Sequence, residues 1–236
     1  MNVSRLLITI DGPAGSGKST TAREVARVLG LAHLDSGALY RALTLALLRT
    51  GTPEEEWEGL EAGTLEDLDI ALEPREGGFE VLLEGESVGP ELRSFEVTRG
   101  VSRLAGVAAV RRRLIDLQRS VAEEVGIVAD GRDMGTVIFP HAHLKVFLTA
   151  SLAERARRRL LQEARPADPA GVREEIERIR QRDEADAGRE IAPLRRPPDA
   201  IEIDTTSLTF EEQVGRIVLE ARRRVAEGLT GEDCAG

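Results

Sequence analysis

Residues 5–20 read RLLITIDGPAGSGKST, and the fold is decided in this stretch. A short β-branched run at 5–10 ends in a glycine-rich loop. From Lys18 onward, KSTTAREVARVLG places Ala22, Val25, Val28 and Leu29 on one side of a helix, with Gly30 as its stop. The loop itself, GPAGSGKS at 12–19, matches G-x-x-x-x-G-K-[ST] in full, after a strand and before a helix as the motif requires. Glycines let successive backbone N–H groups turn inward around a phosphate, and the following helix N-terminus adds its dipole. Gly12, Pro13, Ala14, Gly15, Ser16, Gly17, Lys18, Ser19 and Thr20 are therefore expected to cradle a nucleoside triphosphate. Within them Lys18 would neutralise the β- and γ-oxygens, and the Ser19 hydroxyl is suited to ligate Mg²⁺. The motif leaves open what is done with the triphosphate.

Working outward, strands and helices alternate. The sequence predicts strands in LAHLDS, in GIVAD (126–130), in HLKVFLTA (143–150) and in DAIEIDTT. It predicts helices in GALYRALTLALLRTG, closed by Gly51, over 103–125, in SLAERARRRLLQEA begun by Ser151, in the charged VREEIERIRQRDEADAGR, and in the closing TFEEQVGRIVLEARRRVAEG. RPADPAG reads as a short exposed connection. Between about 60 and 100 the texture changes: LEDLDIALEPREGGFEVLLEGESV alternates apolar and polar residues around REGG, a hairpin signal within a small inserted lobe. The whole describes an α/β protein, a parallel sheet with helices on both faces and ligands beyond the carboxyl ends of its strands.

Composition narrows the class. The 236 residues are 41% hydrophobic and 31% charged, with a net charge of −10, which argues against binding a nucleic-acid polymer or an acidic membrane across the surface. Lysine occurs only at 18 and 145, whereas arginine is abundant. Cys234, the single cysteine, lies in the polar tail TGEDCAG, so no intrachain disulfide and no cysteine-based zinc site is expected. The first residues have too short an apolar run for a signal peptide, and a cytoplasmic protein is expected. The last seven residues are expected to be disordered.

Residues 129–140, ADGRDMGTVIFP, then become informative, because neighbours in an extended chain point to opposite sides. Arg132 and Asp133 at a strand end look like two contacts to a bound molecule. A second carboxylate near the magnesium is expected from a strand end, with Asp130 and Asp11 as candidates. Ser36 stands at a helix start where an anion could sit, and Arg41 follows it either as a further contact or as a surface residue. Arg182, Asp186 and Arg189, separated by four and three residues, share one helix face. Taken alone, that spacing more usually means a solvated salt-bridge ladder. No Ser–His–Asp set or histidine cluster competes for a different chemistry: His33, His141 and His143 are scattered, the last two in structural positions, and Trp57 is expected to pack rather than stack on a base.

IDGPAGSGKST, LDSGALYRA, LEGESVGPELRSFEVTRGVSRLA, VRRRLIDLQR, VADGRDMGTVIFPHAHLKVFLTAS, ERARRRLLQ, RDEADAGREIAPL and DAIEIDTT occur in that order. Together they resemble the bacterial cytidylate kinases over roughly residues 5–220. DGRDMGTVIFP and the lobe containing LEGESV are far more specific than the phosphate loop. The resemblance implies a P-loop fold of the nucleoside-monophosphate-kinase type, with a kinase core at 1–59 and 101–236, an inserted nucleotide-binding lobe at 60–100 and a short lid at about 160–172. It implies transfer of the γ-phosphoryl group of ATP to CMP or dCMP with Mg²⁺, in a cytoplasmic monomer. UMP or another small acceptor is the alternative.

Residue by residue, the resemblance implies that Ser36, Arg41, Arg132 and Arg189 hold the acceptor phosphate. Ser102, Arg111 and Asp133 would read the cytosine edge, and Arg182 and Asp186 would contact the pentose, Arg182 also lying near the phosphates. Arg158 would lie over ATP, against its adenine or its phosphates. Catalysis would then rest on Lys18, Arg132, Arg158, Arg182 and Arg189, and the metal on Ser19 and Asp130. Departures from the family pattern are Ser36 and Leu39, where threonine and methionine are more usual, and Ala108 in place of a proline. The last leaves Arg112 and Arg113 as neighbours with which Arg111 could be confused.

Overall fold

A computed structural model describes residues 3–228. Cys234 and the tail expected to be disordered lie outside the described residues. The chain opens with β1 (Leu7–Asp11), the phosphate loop, α1 (Lys18–Leu29), β2 (Ala32–Asp35) and α2 (Ser36–Arg49). Next come α3 (Ala62–Glu66), β3 (Ile70–Arg75), β4 (Gly78–Leu83), the two-residue β5 (Glu86–Ser87) and α4 (Phe95–Leu104). Then follow α5 (Ala108–Glu124), β6 (Ile127–Gly131), β7 (Leu144–Thr149), α6 (Leu152–Gln162), α7 (Pro169–Ala187), β8 (Ile201–Asp204) and α8 (Phe210–Ala226). Among the described residues no helix is long and apolar enough to cross a membrane.

The sheet order is β3-β4-β2-β6-β1-β7-β8, with β5 paired to β4. From β2 to β8 all pairs are parallel, and every residue of β6 is buried, as a strand covered on both faces must be. One face packs Ile8, Ile10, Val128 and Val146 against α1 and α8. The other packs Leu34, Ile127 and Ala129 against the π-helical turn Met134–Ile138 and α5. A third cluster gathers α2, α4, α5, the hairpin and the fully buried Trp57, so the tryptophan packs in the core.

Local chemistry shifted several boundaries. The helix expected over 103–125 is two helices: Ser94 caps the first by accepting from the Val97 N–H, and the chain leaves the helix at 105–107 before α5. Helix α7 begins inside the expected connection, because Asp168 accepts from the N–H groups of Ala170 and Gly171 and Pro169 occupies the first turn. It ends at Ala187, with Gly188 as the cap, so Arg189 follows the helix instead of sharing its face. The hairpin β3–β4 extends the sheet, joined to β2 through the single parallel pair His33–Gly78.

Candidate active site

The phosphate loop closes tightly on the sheet. A Cβ on Gly12, whose φ is 152°, would lie 2.2 Å from the Leu148 carbonyl oxygen, so only glycine lets the backbone approach this closely. Lys18 is buried and its Nζ donates to the Pro13 carbonyl at 3.0 Å. Burial, reinforced by the positive charge of Arg132, brings its pKa down to about 7. Such a lysine is poised to regain full charge when an anion arrives.

The pleat separates the two carboxylates considered for the metal. Ile10 pairs with Asp130 and Asp11 with Gly131, so the two aspartates face opposite sides of the sheet. Asp130 faces α1, where its Oδ2 accepts from Ser19 Oγ at 2.6 Å. Asp11 faces the other way and accepts from the N–H groups of Met134 and Gly135, both at 2.8 Å, fixing the turn after Asp133. Asp35 pairs with Asp130 across the sheet and caps α2 by accepting from Ala38 N–H. Burial, and then the neighbouring Asp130, raise its pKa. Among the described residues no group of three or more His, Cys, Asp or Glu could hold a metal ion by itself.

Arginines converge next to this edge. Arg132 donates through Nε to Asp186 at 2.7 Å, and Arg189 donates to the other Asp186 oxygen at 2.5 Å. Burial alone would raise the pKa of Asp186, but Arg132 and Arg189 outweigh it and the carboxyl sits below its ordinary value. Arg182 is brought to about 9 by burial and by its neighbours Arg132 and Arg41. The Nε atoms of Arg182 and Arg189 are buried without a hydrogen-bond partner. A cluster in which burial lowers the pKa of Arg182 and buried guanidinium donors lack partners suits an anion. Arg41 is held from the lobe side by Thr98 Oγ1 at 3.0 Å and the Leu92 carbonyl, and Ser36 is buried at the start of α2. The inner edge of α7 also reaches the loop: Asp183 accepts from the Ala14 N–H at 3.2 Å and from Arg155, which itself donates to the Ala14 carbonyl. Its outer face carries a solvated ladder, Glu174–Arg178 and Glu177–Arg180. The solvated ladder thus belongs to other residues of the helix, while Asp186 is buried against Arg132 and Arg189.

At the far end Arg111 and Asp133 form a buried ion pair, and Arg111 lies 5.8 Å from the centre of the Tyr40 ring. Burial pushes the Asp133 carboxyl up against the pull of Arg111. Arg112 is exposed, and Arg113 donates to the Leu68 carbonyl, so only Arg111 of the three reaches the cleft. Ser102 lies beside them. Tyr40, whose hydroxyl is buried without a partner, was not singled out by sequence, although it directly precedes Arg41.

One cleft of about 630 Å³ joins these parts, a size suited to small ligands. Its walls include Ala14, Gly15, Gly17, Lys18, Ser19, Thr20, Ser36, Arg41, Ser102, Arg111, Asp130, Arg132, Asp133, Arg182, Asp186 and Arg189. Gly12, Pro13 and Ser16 form the loop behind it. Arg158 stands apart from the cleft wall, tied to Glu154 and to Thr205 through Oγ1 at 2.9 Å and the carbonyl at 2.7 Å, while its neighbour Arg159 faces the cleft.

Comparison with known proteins bears on what this cleft does. The sequence model of the cytidylate kinase family matches residues 8–223. A cytidylate kinase of Stutzerimonas stutzeri is 46% identical over 224 residues, covering 94% of this chain and 97% of that protein. One from Geobacillus kaustophilus is 43% identical over 221 residues, covering 94% and 98%. An uncharacterized protein from Eubacterium ventriosum, known from its crystal structure, superposes with a TM-score of 0.50 at 11% identity, covering 92% of this chain and 98% of that one, a likeness of fold alone.

Proposed function

The chain belongs to the cytidylate kinase family, and we propose that it transfers the γ-phosphoryl group of ATP to CMP or dCMP with Mg²⁺, giving CDP or dCDP and ADP. The observation that carries this reading is the continuity of the cleft: the phosphate loop opens directly onto the arginine cluster, which leads to the Arg111–Asp133 pair.

Phosphoryl transfer asks a protein chiefly for positioning and charge neutralisation. The loop amides and Lys18 hold the β- and γ-phosphates. Ser36, Arg41, Arg132 and Arg189 hold the acceptor phosphate in line with them, Arg182 stands by the pentose and near the phosphates, and Asp186 fixes Arg132 and Arg189. Each Asp186 oxygen already accepts from an arginine, so a pentose hydroxyl would use a remaining lone pair. A magnesium ion fits the pair formed by Ser19 Oγ and Asp130, since Mg²⁺ is usually bound by one or two protein oxygens plus phosphates and water. It would neutralise the β,γ-oxygens. Arg158, bound to Thr205 beside the loop, would steady the donor side from behind. The turn between α6 and α7, within the lid proposed at about 160–172, and the lobe at 60–100 would close over the cleft to keep water from the γ-phosphate.

Cytosine presents an amine donor beside two acceptors; a carboxylate accepts from the first and a guanidinium donates to the others. Uracil replaces the amine with an oxygen and leaves Asp133 facing an acceptor. Asp133 keeps Arg111 on one oxygen, but a buried carboxylate oxygen facing an acceptor with no donor costs on the order of 1–3 kcal/mol, so CMP should be preferred to UMP by at least about tenfold. An ADP-release assay with CMP, dCMP, UMP and AMP tests this, and equal or better turnover of UMP would remove Asp133 from base reading. Asp133→Asn, which keeps a partner for Arg111, should narrow the CMP:UMP ratio.

Lys18 gives a second test. Its pKa lies near 7 without ligand, and phosphate oxygens favour the charged form. ATP binding at pH 8 should therefore take up a large part of one proton, roughly as linkage requires, and affinity should fall as pH rises from 7 to 9. Calorimetry in buffers of different ionisation enthalpy measures the uptake; enthalpies independent of buffer would contradict it.

A further inference from the structure

His33 serves no step described so far, yet it sits against the metal-side carboxylate. Its side chain is buried, and its Nε2 lies 2.8 Å from Asp130 Oδ1, the oxygen not engaged by Ser19. Strand geometry brings the two within reach. His33 and Asp35 are two residues apart in β2 and share a face, and Asp35 pairs with Asp130, so His33 is the diagonal neighbour of Asp130 on that face.

The backbone of His33 is fixed from both edges. On one side it pairs with Val128 of β6. On the other it makes the joint to the hairpin: its N–H donates to the Gly77 carbonyl at 3.0 Å, and a Cβ on Gly78 would lie 2.5 Å from its carbonyl oxygen. The ring thus projects from a backbone held on both sides. A carboxylate rotates freely about its last bond unless both oxygens are engaged, and Asp130 has Asp35 beside it to repel it. With Nε2–H on Oδ1, the carboxylate plane is set and Oδ2 stays on Ser19, facing the phosphate loop.

We propose that His33 is a positioning residue: by donating Nε2–H to Asp130 Oδ1 it holds Asp130 and Ser19 in the orientation that receives the divalent cation accompanying ATP. The proposal rests on the reading of Asp130 as the metal-side carboxylate, and the experiment separates the two. Mn²⁺ is titrated into the enzyme bound to a non-hydrolysable ATP analogue and followed by electron paramagnetic resonance. The Mg²⁺ dependence of turnover and the KM for CMP are measured alongside.

Outer contacts of this kind are worth about 10–100-fold in metal affinity or activity. His33→Leu should weaken Mn²⁺ binding by roughly tenfold and raise the Mg²⁺ needed for half-maximal rate to match, with the KM for CMP little changed. His33→Gln, whose amide places an N–H at a similar reach, should recover most of the affinity; His33→Phe replaces the leucine variant if that does not fold. Wild-type Mn²⁺ affinity in the leucine or phenylalanine variant overturns the proposal, even where thermal stability falls, because a packing role alone would lower stability and leave the metal untouched. Failure of glutamine to recover affinity overturns it as well. Asp130→Asn is the control. If it weakens Mn²⁺ while His33→Leu does not, the role of His33 alone is wrong; if it leaves Mn²⁺ unaffected, Asp130 is not at the metal and both readings fall.

Discussion

Arg132→Ala is expected to lower kcat by about a thousandfold, the largest loss from any single arginine of the cleft. The side chain leaves the end of β6 at the edge of the phosphate loop, and Asp186 clamps its Nε. On the proposed reading its guanidinium is therefore pre-aimed where charge would develop as the phosphoryl group moves. Arginines in that position contribute roughly 10³–10⁵ in other phosphoryl-transfer enzymes. Arg182 and Arg41 stand close enough to share the charge, which places the expectation at the lower end. Asp133→Ala should act differently, because the base is remote from the reacting centre: the KM for CMP should rise and kcat should fall far less. Steady-state kinetics on both variants decide the matter. Comparable losses in kcat, or a mild Arg132 effect, would overturn this division of labour.

Lys18→Ala should lower kcat/KM by about a thousandfold as well, but through the donor. It should also abolish the proton uptake that accompanies ATP binding. The same variant carries a second expectation of opposite sign. A lysine whose pKa is brought down to about 7 in the folded chain opposes folding while it is charged. That penalty is fully present below pH 7 and fades as pH rises towards the unfolded value of 10.5. Removing the amine should therefore raise the Tm of the ligand-free protein at pH 6 by a few degrees, roughly as expected where a strained active-site group is released. A lower Tm together with retained activity would show that Lys18 serves the loop's structure and not the nucleotide. Arginine is no substitute, because the buried pocket around Nζ is built for a compact ammonium bonded to Pro13.

Much of the fold was legible because local signals agree. The β-branched run, the glycine loop and the helical spacing after Lys18 all point to the same unit, and the REGG turn marks its hairpin without help from tertiary contacts. What escaped depends on strand register, which a sequence read along its length does not contain. Asp11 and Asp130 are equivalent as residues near strand ends; only the pairing of Ile10 with Asp130 turns one towards the loop and the other away. His33 looked like one of three scattered histidines until β2 was laid beside β6. Arg189 failed in another way: periodicity was extended one residue past Gly188, where the helix stops, although the ion pair to Asp186 survives the break. Arg158 and Arg159 show how little a run of arginines reveals about direction, since neighbours on a helix point about 100° apart.

Helix α7 grips the phosphate loop with Asp183, and with Asp186 it grips Arg132 and Arg189, the arginines proposed for the acceptor. Three residues of α-helix advance about 4.5 Å, so the spacing between donor and acceptor machinery is set by counting residues along a rigid rod. The helix acts as a ruler. Substitutions on its solvent face leave that measure intact, whereas one residue inserted between 183 and 186 would turn the second carboxylate by about 100° and carry it off its arginines. Variation in length should therefore be tolerated at the turn before α7 and forbidden within this one turn of it.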